Sequence, residues 1–230
     1  MKRYANGFTL IEIAIVLVII GLLLGGVLKG QELITGARVR NLISQQDGIK
    51  AAFFGFQDRY RALPGDYAAA GTNINGVTIS GDGNGRIEGP NTTGTYETIL
   101  AWNHLTAAGF LNGSYTMAAS TTSTPVDTNN PKNPYSVYIQ LIYDNVYGVT
   151  AGKPNKHNLK TGSQVPVEIM AEVDRKIDDG LPDAGGFQYS IYVPPPGVAL
   201  VPSDCINTGA TPPTWNITGQ STNCGGASLF

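Results

Sequence analysis

Hydrophobic and polar positions follow successive patterns along this chain. Nearly every residue from Phe8 to Leu28 is apolar, and the one charge in that run is Glu12. A helix of about 20 such residues crosses the hydrocarbon of a bilayer. Lys2 and Arg3 precede the run, with no comparable basic cluster just after it, so the N-terminus is expected in the cytoplasm and the remainder outside. From Arg38 the pattern turns amphipathic. Val39, Leu42, Ile43, Ile49, Phe53, Phe56 and Tyr60 recur at helical spacing, opposite Arg40, Gln45, Asp47 and Asp58. One continuous helix is therefore expected from about Phe8 to about Arg61, ended by Leu63-Pro-Gly-Asp66, where proline cannot continue it. Its apolar stripe reads as the face on which a sheet packs. Gly21, Gly25, Gly26, Gly30 and Gly36 interrupt the first half, each costing about 1 kcal/mol relative to alanine.

Beyond residue 64 the periodicity shortens and alternates. Thr95 to Ala108 reads as a helix closed by Gly109, and Val167 to Asp178 as another, with Ile169, Val173 and Ile177 in register. Ser136 to Tyr143 is β-rich, followed by a turn at Asp144-Asn145 and a short strand through Val149, which together suggest a hairpin. Phe187 to Val193 alternates as a strand and is stopped by Pro194 to Pro196. Gly113–Pro134 and Val201–Cys224 are rich in Thr, Asn and Pro and read as exposed loops.

Composition narrows the function classes. The 230 residues suffice for one domain with a core plus an appendage. A net charge of -2 supplies no field that would draw nucleic acid. Cys205 and Cys224 have no His or further Cys at metal-ligand spacing, so in an oxidising compartment a disulfide loop fits better than a zinc site.

Glu12 is a carboxylate in an apolar span, expensive at a few kcal/mol, and no Lys, Arg or His in the span can pair with it. A cut between Gly7 and Phe8 would create an α-amine close enough in sequence for a neighbouring subunit to offer it to Glu12. Further along, Gly81-Asp82-Gly83-Asn84-Gly85-Arg86-Ile87-Glu88 alternates oxygen donors with glycines, as short calcium loops do, with Asp82, Asn84 and Glu88 as expected ligands and Arg86 standing where another donor is usual. Asp174, Asp178, Asp179 and Asp183 form a second acidic group, the alternative place for calcium, read first as a solvated helix end compensated by Arg175 and Lys176. His104 and His157 are the only histidines, and there is no nucleophile elbow, phosphate loop or dinucleotide fingerprint, so no enzyme is expected.

Gly7-Phe8-Thr9-Leu10-Ile11-Glu12, behind a short basic leader and ahead of a long apolar run, resembles the processing site of type IV prepilins and type II secretion pseudopilins. The resemblance implies an α+β fold in which a long N-terminal helix packs on an antiparallel sheet. It further implies a leader of residues 1–7 removed by a prepilin peptidase, methylation of Phe8, a filament-core helix over 8–28, its amphipathic continuation over 29–63 and a head over 64–230. The partners it implies are other copies of the chain or related subunits, an assembly platform in the inner membrane, and that membrane itself before assembly. The product would be a surface filament used for adhesion, motility or DNA uptake, or the short filament of a secretion system. The long head and the cysteine pair favour the pilus, whereas a calcium site would favour the pseudopilin.

Overall fold

A computed structural model describes residues 9–230. The chain is α+β and divides into two units, residues up to 38 and Val39–Phe230. In the first, the helix that begins α1 (Leu10–Tyr60) keeps its large apolar side chains exposed from Leu10 to Ile34. By length and composition this helix is long and apolar enough to cross a membrane.

The second unit is built on the remainder of α1. Val39, Leu42, Gln46, Ile49, Phe53 and Phe56 repeat at steps of three and four and are all buried, which is the single face a helix turning every 3.6 residues can present. Two core clusters divide that stripe. Ile49, Phe53 and Phe56 pack with Trp102 and Leu105 of α3 (Glu97–Ala107) and with Leu141 and Leu159 of the sheet. Val39 and Leu42 pack with Val167, Met170 and Val173 of α4 (Val167–Ile177) and with Phe187 and Tyr189. Each such side chain taken out of water contributes about 1.5–3 kcal/mol, so the stripe fixes the helix segment to the rest of its unit.

The main sheet is antiparallel, in the order β1 (Gln140–Asp144), β2 (Lys156–Lys160), β6 (Gly226–Leu229), β3 (Phe187–Tyr189). Leu141, Leu159, Ser228 and Phe187 form one row across it. A side chain at Gly226 would run into the Phe187 ring, so glycine lets the aromatic lie on the adjacent strand. A short α2 (Ala70–Asn73) follows the α1 terminus, and α5 (Pro202–Cys205) leads into a small β4–β5 pair (Ile206–Asn207, Thr214–Trp215).

The expected hairpin partner of β1 is corrected. β1 begins at Gln140, after a turn in which the Val137 amide donates to Asn133 Oδ1, and it pairs with Lys156–Lys160 rather than with the residues through Val149. The intervening loop is drawn elsewhere, because the amides of Val149 and Thr150 donate to Asp183 Oδ1 at 2.6 and 3.1 Å. The strand expected over 187–193 keeps its ladder through Tyr189. One further bond follows, from the Ser190 amide to the Gly225 carbonyl.

Candidate functional site

At the start of α1, the backbone N–H and the hydroxyl of Thr9 both donate to Glu12 Oε2 at 2.7 Å, and the Glu12 amide returns a bond to Thr9 Oγ1 at 3.4 Å. This is a reciprocal capping box, which satisfies donors that a helix N-terminus leaves open. Its Thr-x-x-Glu spacing was available in the sequence. The box holds the carboxylate locally by neutral donors and supplies no opposite charge. Gly7 and Phe8, the expected processing pair, lie outside the described residues.

The helix stop positions the acidic loop. After Pro64 the chain turns at Gly65, which sits at φ +89° with the Glu97 carbonyl where a side chain would be. Asp66 follows, buried, and accepts from the amides of Asn84 and Gly85, each at 2.9 Å. Glu97 opens α3, fully buried, and accepts from the Asp82 amide at 3.1 Å, the Asn91 side-chain amide at 2.7 Å and the Glu88 amide at 3.1 Å. One carboxylate oxygen from each of Asp66, Asp82 and Glu97 lies within 4.8 Å of the others. Burial pushes Asp66 up to about 6 against the opposing amide bonds, and burial pushes Glu97 up to about 7, with Asp66 adding to it. Asp82, nearer the surface, is held below the usual range by its hydrogen bonds, which overcome the burial that opposes them.

Of the ligands expected from sequence, the structure brings Asp82 into this cluster. Asn84 and Glu88 stand beside it, joined by an Asn84 Nδ2 to Glu88 Oε2 bond of 3.3 Å, while Glu88 also meets Arg86 at 3.7 Å. Asp66 and Glu97 were read only as parts of a helix stop and a helix start. Only the fold brings them to Asp82. The set is all hard oxygen, the chemistry that suits calcium or magnesium. His104 is structural: its Nδ1 accepts from the Gly65 amide at 3.0 Å, Nε2 meets the Ile79 carbonyl at 3.1 Å, and burial lowers its pKa to about 4.

Cys205 and Cys224 are bonded, buried, with Cα atoms 5.7 Å apart. Cys224 continues the structure through a two-way bridge, since its amide donates to the Val165 carbonyl and the Val165 amide donates to its own.

Residues 2–28 match the family model of the prokaryotic N-terminal methylation motif. The chain carries a class III prepilin signal. That signal is common to type IV pilins and pseudopilins and implies processing by a prepilin peptidase and polymerisation into filaments in general. Prepilin membrane anchoring before assembly fits the exposed apolar segment of α1. No curated protein and no solved structure matches the chain.

Proposed function

We propose that this prepilin is a structural subunit of a type IV pilus, serving adhesion, motility or DNA uptake. Residues 1–7 leave as the leader, Phe8 becomes the methylated N-terminus, and the helix from Phe8 to Leu28 passes from the inner membrane into the filament core. The head over residues 64–230 then faces outward at the cell surface. The observation that carries this reading is the methylation motif running directly into an exposed apolar helix whose one charge is Glu12. Glu12 takes the α-amine of Phe8 on an adjacent subunit as its partner. The mass of the N-terminal peptide from sheared surface filaments tests the reading. A peptide beginning with N-methyl-Phe8 is expected. Retention of Met1, or absence of the chain from the filament fraction, overturns it.

A pseudopilin of a type II secretion system is the second reading, favoured by the all-oxygen cluster of Asp66, Asp82 and Glu97. In either filament, that cluster with Asn84 and Glu88 alongside is proposed to take calcium. A ligand bound only by the folded state must raise its melting temperature. Millimolar calcium against chelator should raise the midpoint of the full chain in detergent, and Asp66→Asn should reduce the rise. No shift in the wild type removes the proposal.

A further inference from the structure

The stripe by which α1 packs into its unit has one polar member. Gln46 is fully buried, and neither its Oε1 nor its Nε2 has a hydrogen-bond partner among the described residues. It stands between Leu42, which belongs to the cluster with α4 and Phe187, and Ile49, which belongs to the cluster with α3, Leu141 and Leu159. The helix passes from one apolar cluster to the other at Gln46.

The sheet has a matching place. Leu141, Leu159, Ser228 and Phe187 stand side by side across it, and residues directly paired between antiparallel strands put their side chains on one face. Leu141 and Leu159 pack with Ile49, Phe53 and Phe56, while Phe187 packs with Val39 and Leu42, so this face is the one turned to α1. Ser228 lies between the two groups. It too is fully buried, and its Oγ has no hydrogen-bond partner among the described residues. Serine is the shortest side chain in that row, so the row leaves most space at the seam between the clusters.

Buried polar groups in folded proteins are paired, with protein groups or with ordered water. Here an amide on the helix wall and a hydroxyl on the sheet wall of one seam meet no protein group. The amide offers donors at Nε2 and an acceptor at Oε1, and the hydroxyl offers both kinds. An internal water makes about three hydrogen bonds, to groups of this kind.

We propose that the seam between α1 and the sheet is a binding site for internal water, held by Gln46 from the helix and by Ser228 from β6. The water makes this the one polar joint on the buried stripe and so fixes the register of α1. A slide of one helical turn either way would set Leu42 or Lys50 in place of Gln46 and take the amide away from the water. The site does not depend on which filament the chain enters.

A double-mutant cycle on the full chain in detergent micelles, read by thermal midpoint, tests this. Gln46→Met keeps the length of the side chain without its polar atoms, and Ser228→Ala removes the hydroxyl. Where the two groups share water, each single change leaves the other short of a partner and lowers the midpoint, by about 2–4 °C. The double change removes both walls of the site and should lose less than the sum of the singles. A dry seam gives the opposite sign, because each substitution then deletes an unpaired buried polar group and raises the midpoint. A rise in either single variant, or losses that simply add, overturns the proposal. If Gln46→Met does not fold, the sign of Ser228→Ala decides. In the wild type, a rotating-frame Overhauser peak between water and the Gln46 side-chain amide, of the sign that marks dipolar contact and not proton exchange, is expected and should weaken in Ser228→Ala. Its absence from the wild type overturns the proposal as well.

Discussion

The Gly65 backbone N–H donates to His104 Nδ1 at 3.0 Å in a buried site, so the turn that ends α1 is latched to α3 by an imidazole that must be neutral to accept. Phe56 of α1 stacks on the same ring at 6.2 Å between centroids. Burial lowers the His104 pKa to about 4, whereas the unfolded chain protonates near 6.5. The unfolded state therefore binds the extra proton first, and His104 withdraws stability as pH falls from about 6.5 toward 4, by roughly 3 kcal/mol at the end of that window. Asp66 and Glu97, whose folded pKa values are raised, act in the opposite direction over part of the same range. The comparison with His104→Asn, which can accept from Gly65 without titrating, isolates the histidine. Wild type should lose stability relative to the variant on acidification, measured by denaturant midpoints at pH 7 and pH 4.5. Parallel curves would contradict the latch.

Glu12 should couple leader removal to assembly. Before cleavage the nitrogen of Phe8 is an amide to Gly7 and offers no charge; afterwards it is an amine that can pair with Glu12 of a neighbour. In the filament core proposed above that pair would be weakly screened, and breaking one partner of a buried pair costs about 3–5 kcal/mol. Glu12→Ala should be inserted and cleaved normally yet poorly incorporated, with Glu12→Gln intermediate. Immunoblots of membrane and filament fractions check this, and wild-type filament yield from either variant would remove Glu12 from that role.

The Cys205–Cys224 bond closes the C-terminal loop just before β6, whose pairing with β2 and β3 places it inside the sheet. In the chain-entropy account a loop of this size gains about 3 kcal/mol from its bond. The double change Cys205→Ser with Cys224→Ser should lower stability by about that amount, and reduction of the wild type should reproduce it. Equal denaturant midpoints before and after reduction would count against it.

Lys160 is 3 % exposed and its ammonium lies 2.5 Å from Asp144 Oδ2, joining β2 to β1 beside their backbone ladder. Burial lowers the Lys160 pKa and Asp144 opposes that fall. Removing the carboxylate strands a buried cation, whereas replacing the cation by an apolar chain of similar length does not. Asp144→Ala should therefore cost several kcal/mol, on the order of 3, and Lys160→Met distinctly less. Thermal unfolding of both variants checks the order, and a reversed order would show that the pair is not what holds β2 at this place.

The long elements were legible because their signals are local. The apolar run, the lone Glu12, the stripe from Val39 to Tyr60 and the stop at Pro64 each follow from side chains a few residues apart on one helix, and α3 and α4 lie within the expected segments. Strands gave a weaker signal wherever partners supplied what the sequence lacks. Lys156-His-Asn-Leu-Lys160 looks polar, yet it is a central strand because Asp144 neutralises Lys160 and accepts from the Asn158 side-chain amide. Gly226-Ala-Ser-Leu229 is too small to read as a strand, and its smallness is what admits the Phe187 ring. The acidic sites divide the same way. Asp82 announced itself through its glycine-rich neighbours, but Asp66 and Glu97 reach it from the end of one helix and the start of another, and Asp174 gains its indole partner only because Trp215 comes from the C-terminal loop. Helical periodicity is written in neighbouring residues, whereas the burial and partnering of a charge are properties of distant segments brought together, which only the tertiary structure decides.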